Sequence, residues 1–145
     1  MLTTRRIAVV VASLLAACAS GLQPPGGLPG APAASAAVER FLQLAADDDY
    51  SGMGWIFGTT DGPILERDPP AEVEQRMFAI ASILEHDGFV VGNSSPVPGR
   101  LNEAFVYEVI VTLGAQNNRV PFTVVQGPRG RWFVEQVGVE AITSQ

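Results

Sequence analysis

Apolar side chains recur at three- and four-residue steps through Ala37, Val38, Phe41, Leu42 and Ala45, which predicts a helix over 36–46. Asp47-Asp48-Asp49 breaks it, and Asp49 is placed to cap a second short helix carrying Tyr50, Met53, Ile56 and Phe57. Gly52 and Gly54 each cost that helix about 1 kcal/mol against alanine. Thr60-Asp61-Gly62-Pro63 reads as a turn, and Ile64-Leu65 as a short strand. The longest helical pattern covers 69–86, with Asp68 as its N-cap, Pro69 in its first turn and Gly88 as its stop. Its apolar stripe is Val73, Met77, Ile80, Ala81 and Leu84.

After this helix the period changes from about 3.6 to two. Phe89 to Val91 reads as a first short strand, and Asn93 to Arg100 as a loop. Glu103 to Leu113 is the strongest strand, with Phe105, Tyr107, Val109, Val111 and Leu113 on one face. Gly114 to Asn118 turns the chain into a third strand, Arg119 to Val125, where Pro121 argues for an edge or a bulge. A turn at 127–130 leads to a last strand over 131–142, bent at Gly138. Helices first and strands last is an α+β order.

The N-terminal 35 residues follow another logic. Met1 to Arg6 holds Arg5 and Arg6, and Ile7 to Ala17 is unbroken apolar and small sequence, the layout of a signal peptide over 1–17. As a helix those eleven residues would span about 16 Å, well short of a bilayer core of about 30 Å. Leu15-Ala16-Ala17-Cys18 resembles the bacterial lipobox. That resemblance implies lipidation and cleavage at Cys18, and it accounts for the single cysteine, a palmitoylated membrane anchor. Two or more acyl chains give stable attachment. Ala19 and Ser20 stand where lipoproteins kept at the inner membrane resemble one another in carrying Asp. The expected location is therefore the cell envelope, at the outer membrane facing the periplasm where there are two membranes. Residues 18–35, rich in Pro and Gly and free of charge, read as a tether of about 55 Å when fully extended. Residues 36–145 then form a single α+β domain.

Composition narrows the functional classes. The chain has 145 residues, no lysine and a net charge of −6. Loss of Arg5 and Arg6 leaves seven arginines against fifteen acidic residues, a net −8. Such a chain lacks the basic face that a nucleic-acid partner requires. One cysteine excludes a disulfide framework and a multi-cysteine metal site. No phosphate loop is open to a chain without lysine, and no cofactor motif stands out. Glu85, His86 and Asp87 are adjacent, so on a helix they point about 100° apart and do not converge on a base or metal site. Asp47 to Asp49 lacks calcium-loop spacing and reads as a helix junction.

The order of helix, short helix, brief strand, long helix and antiparallel meander over 36–142 is similar to the nuclear transport factor 2-like, or cystatin-like, superfamily. The helix ending in Asp49-Tyr50, then Met53 and Ile56-Phe57, the helix at 71–86 and the strand opening Arg131-Trp132-Phe133-Val134 carry the resemblance. It implies a cystatin-like roll, in which N-terminal helices and one long helix pack on a curved antiparallel sheet of about four strands around a conical pocket. Trp55, Phe57, Tyr107, Phe122 and Trp132 are the candidates to line a pocket or an interface. No catalytic carboxylate or histidine can be carried over. The sequence therefore favours a non-catalytic binding or interaction module, with a homodimer, an envelope protein or a small apolar molecule as partner. The alternative is a small pocket enzyme of isomerase or dehydratase type on the same fold, with an acidic base.

Overall fold

The computed structural model describes Pro24 and residues 27–144. The signal-peptide and Cys18 readings lie outside the described residues, as does most of the tether. Helix α1 spans Ala34–Ala46, two residues longer at its start than the periodicity predicts. Helix α2 is Tyr50–Ile56. Two-residue strands β1 (Gly58–Thr59) and β2 (Gly62–Pro63) form a small antiparallel hairpin. Helix α3 is Pro70–Ile83. Strands β3 (Gly88–Pro96), β4 (Ala104–Leu113), β5 (Gln116–Gln126) and β6 (Trp132–Val137) make one antiparallel sheet in sequential order, and α4 is Glu140–Thr143. The molecule is α+β with a four-stranded antiparallel sheet.

The core forms where the apolar stripe of α1 meets one face of the sheet. Ala37, Val38, Phe41, Leu42 and Ala45 are buried, as are Val109, Val111, Val120, Phe122, Val124 and Val134 opposite them. The Phe41 ring touches Phe57 at 6.0 Å and meets the Phe122 ring edge-on at 6.2 Å. Helix α1 lies against β3, β5 and β6, whereas α3, the long helix expected to lie on the sheet, packs chiefly on α2. That contact explains Gly54: a Cβ there would lie 2.6 Å from the Val73 side chain of α3. The propensity cost of this glycine thus permits close helix packing. On the other face of the sheet, Ala104, Val125 and Phe133 form a smaller cluster under Val97.

The Asp49 carboxylate accepts from the Gly52 amide at 2.8 Å, capping α2 as the sequence predicts. Asp49→Ala is expected to lower stability by about 1 kcal/mol, read as a shifted urea midpoint with an unchanged slope.

Several boundaries differ from expectation. Ile64–Glu66 is a single 3-10 turn, not a strand, because Ile64 pairs its amide back to Phe57 and Arg67 and Asp68 both donate to its carbonyl. Asp68 does not cap α3: Pro69 occupies the cap position, and the Asp68 carboxylate takes Arg76 at 2.9 Å. Helix α3 ends at Ile83, before His86, because Leu84 turns inward to full burial and Asp87 already donates to the Thr112 carbonyl at 2.7 Å. Gly88 therefore opens β3 and does not stop the helix. The expected loop from Asn93 is strand as far as Pro96, paired to β4 beyond an irregularity between Val91 and Ser94. The turn after β4 is only Gly114 and Ala115, and the last strand stops at Val137, before α4. Strand β5 is interior, yet Pro121 costs it no ladder bond there. The Pro121 carbonyl accepts from Gly138, so its missing amide faces the place where β6 has ended.

The chain before α1 is also fixed to the body. Ala31 and Trp132 exchange backbone hydrogen bonds at 2.9 Å, Gly30 donates to the Trp55 carbonyl, and the Arg131 guanidinium donates to the carbonyls of Pro29 and Gly30 at 3.0 and 2.7 Å. This arm lies along the edge of β6 away from β5, which Phe57 also bridges at Val134, and at the N-terminal end of α1.

Candidate functional site

The five aromatic candidates divide between the core and its margin. Phe122 is fully buried; Phe57 and Tyr107 are half-buried and pack on the same core, with Tyr107 directly opposite Phe122 in the β4–β5 register. Phe41 joins Phe57 to Phe122. Trp132 is half-buried near Phe105, at 5.8 Å, under the arm. Trp55 sits on α2 with its indole Nε1 buried and without a hydrogen-bond partner among the described residues. The space between α1 and the sheet around Phe41 is thus filled by side chains, and among the described residues no polar or charged side chain is buried.

The accessible concavities lie elsewhere: one of about 430 Å³ runs between the arm and α1, lined by Ala31, Ala36, Glu39, Arg40, Gln43 and Arg131, and two more lie at the C-terminal ends of α1 and α3. A groove of about 420 Å³ runs between Ala45, Ala46, Asp48 and Tyr50 on one side and Phe78, Ala81, Ser82 and Glu85 on the other. A second groove of about 310 Å³ joins it across Ala46 and His86 and continues past Asp47 and Asp87 to Phe89. Phe78 is 53% exposed, and its ring meets Tyr50 edge-on at 5.5 Å.

The local sequence builds this site. The amides of Asp48 and Asp49 donate to the Ala45 and Leu44 carbonyls, a Schellman closure of α1. Asp48 holds the left-handed position at φ 55°, where glycine is usual. Its carboxylate accepts from the Tyr50 hydroxyl at 3.0 Å, which pushes the phenol above its ordinary ionisation range. His86 Nδ1 lies 2.7 Å from the Leu84 carbonyl; a carbonyl only accepts, so Nδ1 carries the hydrogen and the neutral ring offers Nε2 as acceptor. Asp87 accepts from the Gly114 amide at 2.7 Å, pinning the β4–β5 turn. Glu85, His86 and Asp87 therefore do not share a target, and among the described residues no three His, Cys, Asp or Glu side chains are grouped to hold one metal ion.

The electrostatics of this end are one-sided. Helices α1 and α3 both finish here, and neither has a basic residue in its last turn. Each helix terminus carries about half a negative charge on its carbonyls. Asp47, Asp48, Glu85 and Asp87 line the same grooves, and His86 is their sole basic side chain.

The Tyr50–Phe78 pair was not singled out in the sequence. The signal was available: Phe78 falls off the apolar stripe of α3, and a large aromatic residue on a polar face needs a separate reason to be there.

Comparison with protein-family models finds no match to this chain, and comparison with curated proteins likewise finds none.

Proposed function

We propose that this chain is a non-catalytic interaction module held by lipid at Cys18 in the bacterial cell envelope, on the outer membrane and facing the periplasm where two membranes exist. The observation that carries the module reading is the filled interior. Phe41, Phe57 and Phe122 pack together between α1 and the sheet, and the concavities described above are open surface grooves. An enclosed site is what lets a small enzyme exclude water and shift the pKa of an acidic base.

The anchor rests on Leu15-Ala16-Ala17-Cys18 behind the apolar run. No helix of the described residues is long and apolar enough to cross a membrane. The element order and the four-stranded meander support the nuclear transport factor 2-like roll as the finer reading of the fold.

Detergent-phase partitioning of the wild-type chain against Cys18→Ser tests the anchor. The wild type is expected in the detergent phase and the variant in the aqueous phase; equal partitioning removes the anchor. Turnover of a small carbonyl substrate, abolished by changing one acidic residue, would replace the module by an enzyme.

A further inference from the structure

We infer that the double groove between the ends of α1 and α3 docks a basic, partly apolar segment of a partner protein; this deepens the module reading and rests on it. The first support is complementarity. Two helix C-termini without basic residues, together with Asp47, Asp48, Glu85 and Asp87, leave this end negative, and arginine side chains compensate that field.

The second support is the aromatic floor. An exposed Phe78 against Tyr50 gives a guanidinium a ring face beside carboxylates, and Tyr50, by donating to Asp48, keeps its ring electron-rich. The third is shape. The two grooves share Ala46 and His86 and are open, so they suit an extended chain better than a compact molecule that needs enclosure.

Position adds a fourth. Helix α1 starts beside the arm and ends at the groove, and its thirteen residues span about 20 Å. The groove therefore lies at the end of the domain away from the tether, where a protein in the surrounding compartment can reach it.

Calorimetric titration of the full chain in mild detergent with the capped peptide Arg-Leu-Arg-Leu-Arg tests the inference. Binding is expected. It should weaken about tenfold or more in Phe78→Ala and in the double variant Asp48→Asn, Glu85→Gln, and stay unchanged in Asp61→Asn on the β1–β2 turn. Thermal melting checks that each variant folds; should Phe78→Ala not fold, the double variant, which only removes charge, decides. Failure of the peptide to bind overturns the inference. So does equal weakening in Asp61→Asn, which would mean unspecific attraction to an acidic protein. Tetramethylammonium binding as tightly as the peptide would mean a small-cation site and overturns it as well. Undiminished peptide binding to both groove variants removes the groove yet leaves the module reading standing.

Discussion

Phe41→Ala is expected to lower the stability of the domain by about 3–5 kcal/mol, the range for deleting a buried aromatic ring. Phe41 has no exposed surface, and its ring lies between Phe57 from the end of α2 and Phe122 from β5. It is the side chain through which α1, α2 and the sheet share one core. Its removal leaves a cavity beside Phe57 and Phe122, and a close-packed interior collapses only partly around such a gap. Domains of this size have a total stability of about 5–15 kcal/mol, so the variant should sit near its unfolding threshold. Urea unfolding followed by tryptophan fluorescence checks this. A loss under 1 kcal/mol would mean that the three elements do not meet at this ring.

Gly30→Ala is expected to cost about 2–3 kcal/mol, an unusual sum for one methyl group outside any helix or strand. Gly30 holds φ 71°, and a Cβ there would lie 2.8 Å from the Trp132 carbonyl and 2.9 Å from the Phe133 ring. Neither neighbour can yield. The Trp132 carbonyl accepts from Ala31, and Phe133 is buried in the cluster behind the sheet. The expected outcome is release of the arm, with the pairings of Ala31 to Trp132 and of Gly30 to Trp55 lost together. Limited proteolysis should then cut near Pro29 in the variant and spare the wild type, while the urea midpoint falls.

Where burial and side-chain period decide an element, the chain announces it. Ala37, Val38, Phe41, Leu42 and Ala45 mark α1, Val109 and Val111 mark the inner face of β4, and Asp49 before Tyr50 marks the start of α2. Where hydrogen bonding to a distant partner decides, it does not. Gly92 to Pro96 has little apolar character and is strand because β4 offers it a ladder. The end of α3 is set by Asp87 reaching the Thr112 carbonyl, a contact between elements far apart in sequence. The arm is similar: Pro29 to Ala31 has the composition of a linker and is fixed by Arg131, about a hundred residues away. The aromatic candidates were found by type, and type does not separate Phe122, deep in the core, from Phe78, open to solvent. The groove arises from two helices ending at one place, which no local pattern records.

The clasp of Arg131 on Pro29 and Gly30 has a consequence for how the molecule would search its surroundings. With the arm fixed to β6, a lipid at Cys18 would hold the domain by the eleven residues up to Pro29 instead of by all those up to α1. The leash would then have a maximum length of about 36 Å in place of about 50 Å. The hemisphere swept above the bilayer would shrink with the cube of that radius, to a little over a third. A partner fixed in the same envelope layer within that radius would meet the domain at an effective concentration about threefold higher. With a lipid at Cys18, the Arg131 clasp and the backbone pairings of Gly30 and Ala31 would together set the working radius of the domain, and releasing them would trade encounter frequency for range.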